Sequence, residues 1–140
     1  MPRDGALKIK AQLYRGEERA FGPGRADVLD AIDRDGSIRA AGRRLGMSYR
    51  YIWRLVESMN HNFREKLVES STGGEKGGGA KLTDTGRQVL AAYRALEAEL
   101  MHAAASDAYR ALEQLLAPAS DQAITTSACA KAEAKGASSG

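Results

Sequence analysis

The segment from Ser37 to Met59, SIRAAGRRLGMSYRYIWRLVESM, limits the fold more than any other part of the chain. Ser37 can cap a short helix from Ile38 to Leu45, because its hydroxyl accepts a bond from an early amide that has no partner inside the helix. Gly46 can take the left-handed conformation that ends this helix. Ser48 can then cap a second helix, in which Ile52, Leu55, Val56 and Met59 form an apolar stripe. Gly42 lets the two helices approach closely, and the paired apolar residues fix the angle between them. The layout is that of a helix-turn-helix.

The same segment concentrates charge. Arg39, Arg43, Arg44, Arg50 and Arg54 stand between Ile38 and Glu57 with Glu57 the only acid, in a chain whose formal net charge is only +3. An arginine-rich helix face is often simply solvated. Here, however, packing leaves free the face of the second helix that carries Ser48, Tyr49, Arg50 and Arg54, with Trp53 beside it. Such a face can enter a major groove. Arginine contacts to phosphates position a protein on the duplex, and Arg50 is the candidate for bidentate reading of guanine. Trp53 has a competing role in the core, since an indole on a short amphipathic helix is more often packed than exposed.

What flanks the motif strengthens this reading. After NHNFR, the residues KLVESS, the glycine-rich TGGEKGGGAK and then KLT predict a β-hairpin with a long loop. A hairpin directly after a helix-turn-helix is a wing, from which Lys76 and Lys81 can reach flanking phosphates. The loop does not fit a nucleotide-binding P-loop, because neither Gly73–Gly78 nor Gly74–Gly79 is followed by Lys and then Ser or Thr. Before the motif, Leu7, Ile9, Ala11 and Leu13 alternate with mostly polar residues and predict a half-buried strand. RGEERAFGPG then reads as a turn. Val28, Leu29 and Ile32 predict a helix of about three turns that stops at Gly36.

After the wing, Thr83 is the expected cap of a last helix, near whose start Gly86 is tolerable. Val89, Tyr93, Leu96, Leu100 and Ala103 follow at spacings of four and three, a short coiled-coil-like seam that asks for a partner helix. Asp107 and Arg110 interrupt the seam before Leu112, Leu115 and Leu116 resume it in a shifted phase, so the helix is expected to bend or restart at Ser106. The expected fold is mainly α with a small β-hairpin: a winged helix-turn-helix with a long C-terminal dimerisation helix. It occupies residues 1–117, and a disordered low-complexity tail occupies 118–140.

Composition removes other function classes. The 140 residues suffice for one compact core. One cysteine, Cys129, and two histidines, His61 and His102, offer neither a disulfide nor a thiolate or imidazole metal cage. Neither histidine has a nucleophile near it in sequence, so no enzyme is expected. No apolar run approaches the ~20 residues that span a bilayer, and the start MPRDGALKIK has no apolar targeting core. A cytoplasmic location follows as the expectation.

Three features together resemble one family: GPGR opening the first helix, MSYRYIW followed by MN in the second motif helix, and GGEKGGGA joined to LTDTG in the wing. Over roughly residues 7–100 the chain is similar to the amino-terminal winged helix-turn-helix domain of the ModE-type, molybdate-responsive transcription regulators. The resemblance implies a sequence-specific DNA-binding transcriptional regulator, a homodimer on a two-fold site in double-stranded DNA. It also implies a dimer built from the long last helix, the first helix and the leading strand, with Val28, Leu29, Ile32, Val89, Tyr93, Leu96 and Leu100 at the interface. Full-length members continue into β-barrel domains that bind molybdate or tungstate. No residues here match those domains, so no cofactor is expected. Other roles open to such a chain are a sequence-indifferent architectural or adaptor protein and a single-domain oxyanion-responsive protein.

Overall fold

The computed structural model describes residues 7–71 and 79–118. Lys76 and the tail from 119 on lie outside the described residues. The chain divides into two compact units between Ala104 and Ala105.

The first unit begins with a hairpin, β1 (Leu13–Arg15) and β2 (Glu18–Phe21), closed by the two residues Gly16 and Glu17 with Gly16 at φ 65°. Glycine is at home in that left-handed conformation, which suits tight hairpins. Helix α1 (Pro23–Asp35) follows and ends at Gly36, φ 75°. Next come α2 (Ile38–Leu45), α3 (Tyr49–Asn62), the antiparallel pair β3 (Val68–Ser71) and β4 (Gly79–Leu82), and α4 (Asp84–Leu100). The fold is mostly helical, a winged helix-turn-helix. A 3₁₀ turn, Met101–Ala105, crosses the unit boundary, and the second unit holds α5 (Asp107–Leu115). Ser106 caps α5 by accepting from Tyr109 N at 3.1 Å, so the restart lies at the expected residue.

The caps explain why the helices begin where they do. Ser37, Ser48 and Thr83 accept bonds from Ala40 N, Tyr51 N and Gly86 N at 2.9, 3.1 and 2.9 Å. Each satisfies an amide that the helix itself leaves unpaired, typically worth about 1 kcal/mol. The core of the first unit is built from every element except β1: Phe21, Leu29, Ile32, Ile52, Met59, Leu67 and Leu82 are fully buried, and Tyr93 of α4 closes one end. Phe21 meets Phe63 and Tyr93 edge-on, with ring centroids at 5.9 and 5.1 Å. Such aromatic pairs contribute beyond their buried area.

Three expectations are corrected. Residues 7–12 form no strand, because β2 is only four residues long and its ladder reaches back no further than Leu13. Ala20 and Phe21, expected in a turn, are instead the buried end of β2. Val28, Leu29 and Ile32 are fully buried in their own chain's core and have no surface with which to meet a partner. Tyr93 is also an internal residue: it is buried, and its hydroxyl donates to Ala11 O at 2.7 Å.

Gly86 does more than tolerate its place near the start of α4. A Cβ there would stand 2.1 Å from Leu67 O, so only glycine lets α4 begin against the entry to the wing.

Candidate nucleic-acid interface

Helix α2 sets the geometry of the motif. A Cβ on Gly42 would come within 2.7 Å of Met47 O, while Met47 N donates to Gly42 O at 2.9 Å. The close approach made by Gly42 is therefore to the turn itself rather than to the facing helix. Gly46 takes φ 69° as expected, and α3 leaves the turn capped by Ser48.

On α3, Ile52, Val56 and Met59 face the core, and Leu55 is partly buried beside them. The opposite row carries Arg50, Arg54, Glu57 and His61, all exposed. At the start of the helix Tyr49 is exposed, and the Arg39 guanidinium lies 4.9 Å from its ring centroid. This cation–π contact restrains Tyr49 and keeps Arg39 beside the entrance of α3. Arg43 is also exposed on α2. Arg44 is committed elsewhere: it makes a two-pronged ion pair with Asp35, both N···O distances 2.8 Å. The hydrogen bonds from Arg44 hold the Asp35 carboxyl below the usual carboxylate range. Of the residues expected to surround the second helix, Arg44 is thus a brace between α1 and α2. The Ser48 hydroxyl oxygen is similarly occupied as a cap.

Trp53 is partly buried and packs against the core, with its outer edge lining an open groove between α3 and β3 together with Asn60, His61, Lys66 and Glu69. The packed role dominates for this side chain. Lys81 is exposed on β4.

Two asparagines to which the sequence alone assigned no structural role fix the frame. Asn60 Oδ1 accepts from Leu67 N and Val68 N at 2.8 and 3.1 Å, and its Nδ2 donates to Val68 O at 3.2 Å. One side chain thereby ties the end of α3 to the start of the wing. Ala80 N donates to Gly36 O at 2.9 Å and anchors the other wing strand to the α1–α2 corner. Asn62 Nδ2 donates to Ser58 O at 2.9 Å, while its Oδ1 accepts from Arg15 Nε at 2.8 Å and so ties the first hairpin to α3. The signal in the sequence was MNHNF, two asparagines in the last turn of a helix where polar side chains can replace missing backbone partners.

On another side of the first unit, Leu13, Phe21, Phe63, Val89, Ala92, Tyr93 and Leu96 line an apolar groove of about 190 Å³. Leu13 and Leu96 are 41% and 37% exposed at its rim. Val89 and Leu100 are partly buried. Among the described residues no cluster of His, Cys, Asp and Glu could hold a metal ion, and no helix is long and apolar enough to cross a membrane.

Residues 25–87 match the family described as bacterial regulatory helix-turn-helix protein, lysR family. The chain is 44% identical over 79 residues to the molybdenum transport protein ModE of Azotobacter vinelandii, covering 56% of this chain and 29% of that one. It is 46% identical over 95 residues to the molybdenum-pterin-binding protein MopB of Rhodobacter capsulatus, covering 68% and 35%. Against the DNA-binding transcriptional dual regulator ModE of Escherichia coli the identity is 34% over 125 residues, covering 87% and 45%. The chain thus spans less than half the length of these curated relatives. A solved structure of a Lactococcus lactis ZitR mutant aligns with 79% of this chain and 71% of its own at 15% identity and a TM-score of 0.47. The match to residues 25–87 covers both helices of the motif and the wing, and the ModE relatives extend it on either side: this chain carries the bacterial regulatory helix-turn-helix domain of the ModE-type regulators.

Proposed function

We propose that the chain is a sequence-specific DNA-binding transcriptional regulator that acts as a cytoplasmic homodimer within the molybdenum-linked setting of its relatives' names. The observation that carries this reading is the outward row of α3, which holds Arg50 and Arg54, two arginines with no ion-pair partner among the described residues, on a helix whose C-terminal turn is tied to both the wing and the first hairpin. Such a helix presents cations to a major groove from a backbone already fixed in place. In this reading Arg50 reads bases, with Arg54 and Tyr49 beside it. Arg39, Arg43 and the wing lysines Lys76 and Lys81 contact phosphates. Arg44, Ser48 and Trp53 support from behind. The role is one of binding rather than catalysis.

The homodimer is proposed on the apolar groove, with Leu13, Val89, Leu96 and Leu100 contributing in place of the α1 residues. An exposed apolar stripe of this kind normally marks an interface. Two copies would place two recognition helices on half-sites about one DNA turn apart.

Selection of bound sequences from random duplex DNA tests the reading. A specific regulator enriches a two-fold motif and binds it at least ~10³ times more tightly than random DNA. Equal affinity for all sequences would instead identify an architectural protein. Repeating the selection with molybdate present tests whether the oxyanion acts on this chain.

A further inference from the structure

The side of α3 turned away from the wing carries a second group of cations that the reading above leaves unused. Arg15 and Arg19 stand on the first hairpin and Arg25 in the first turn of α1. Arg25 Nη2 donates to Ser58 Oγ at 3.3 Å, and Arg15 reaches Asn62. Tyr51, Ser58 and Asn62 share one row of α3, spaced as i, i+7 and i+11. That row borders the outward row of Arg50, Arg54 and His61 on one side, while Trp53 and Asn60 border it on the other and lead to the wing.

The three arginines differ in how their charge is met. Arg15 has Glu18 at 3.7 Å. Arg19 and Arg25 have no carboxylate within ion-pair distance among the described residues. Arg25 is also short of acceptors: its Nε is buried without a hydrogen-bond partner, and the long bond to Ser58 is the side chain's only one among the described residues. Burial and then the nearby Arg19 charge lower the Arg25 pKa, outweighing Tyr51 and Glu18. The start of α1 adds positive potential, since Gly22 supplies no side-chain cap and the first turn contains no acid. Two like charges held together with unfilled donors are costly unless an anion joins them.

We propose that Arg19 and Arg25 form a second backbone clamp, which takes phosphate oxygens of duplex DNA on the flank of α3 opposite the wing. The inference rests on the DNA-binding reading. With α3 in a major groove, the wing faces one bordering phosphate strand and the first hairpin the other. The motif is then held from both sides, with the hairpin acting as a second, shorter wing. Glu17 and Glu18 on the same hairpin oppose the phosphates. Glu18 is engaged by Arg15, which leaves Arg19 and Arg25 as the free cations.

The test titrates the full chain and its Arg19→Gln variant into a labelled random-sequence duplex of about 30 base pairs between ~50 and ~200 mM salt. The clamp predicts that Arg19→Gln lowers the slope of log K against log salt by about one and weakens binding several-fold, with the melting temperature unchanged because the side chain is exposed. On a duplex carrying the selected two-fold motif, where the binding register is fixed, phosphate-ethylation interference should lose its signal on the hairpin flank and keep it on the wing flank. An unchanged slope and interference pattern in Arg19→Gln overturns the clamp while leaving DNA binding intact. Failure of the wild-type chain to bind duplex DNA at all overturns the parent reading, and the two failures are distinct.

Discussion

Helices α1 and α4 carry apolar residues at the same kind of spacing and meet different fates. α1 packs against α2, α3, β2, β4 and α4, and Val28, Leu29 and Ile32 on it are fully buried. Among the described residues α4 packs mainly against α1 and β4, with Tyr93 also meeting Phe21 of β2, and its apolar row is split. Tyr93 turns inward and bonds to Ala11, whereas Leu96 stays at the rim of an open groove. Further along, Leu112 and Leu115 of α5 and Leu116 just after it are exposed at 65%, 83% and 58%. Helical periodicity announces that a face will be buried, but it does not say by what. A helix in the middle of a small domain finds its cover at home, and one at the edge leaves cover to be supplied.

Leu29→Ala should give the largest effect that separates the two helices. If α1 belongs wholly to the core, the cavity costs about 2 to 5 kcal/mol in chemical denaturation. A loss below about 1 kcal/mol would return α1 to the surface. Gly86→Ala should cost about 1 to 3 kcal/mol, because the added methyl meets the backbone at Leu67 rather than a side chain that can move. Leu96→Asp should leave monomer stability nearly unchanged and convert a dimer to a folded monomer by sedimentation. A variant that remains dimeric would move the interface elsewhere, and truncation after Ala119 should leave assembly as it was.

The smallest effect concerns the brace between α1 and α2. The Asp35 carboxyl, held by Arg44, should titrate below an ordinary aspartate in a carbon-detected NMR titration, and Arg44→Ala should bring it back. Because its folded pKa is depressed, its contribution to stability is present above the unfolded pKa of about 3.9 and disappears as pH falls through the folded value. An Asp35 that titrates normally in the wild-type chain would mean that the pair is not held in solution.

Much of the fold was legible because it depends on local chemistry. Ser37, Ser48, Thr83 and Ser106 became caps, and Gly36 and Gly46 took positive φ, since capping and left-handed turns are decided within a few residues. The first hairpin was misread because its strands are three and four residues long, too short for alternation to be seen. Arg44 looked identical to Arg43 in sequence, and only the approach of Asp35 from α1 separated a brace from a free cation. The MNHNF run marked two asparagines at the end of α3 but not their partners, which are the entry to the wing for Asn60 and, 47 residues away, Arg15 of the first hairpin for Asn62.

By itself the sequence determined the helix-turn-helix, the wing after it and the arginine-bearing row on α3, because capping, turn conformation and side-chain periodicity act over one or two helical turns. Tertiary structure alone decided which apolar faces are internal, which arginines are neutralised, and that Arg25 keeps a buried Nε without an acceptor beside Arg19. Burial and ion pairing depend on which groups far apart in the chain arrive at the same place, and no local spacing encodes that.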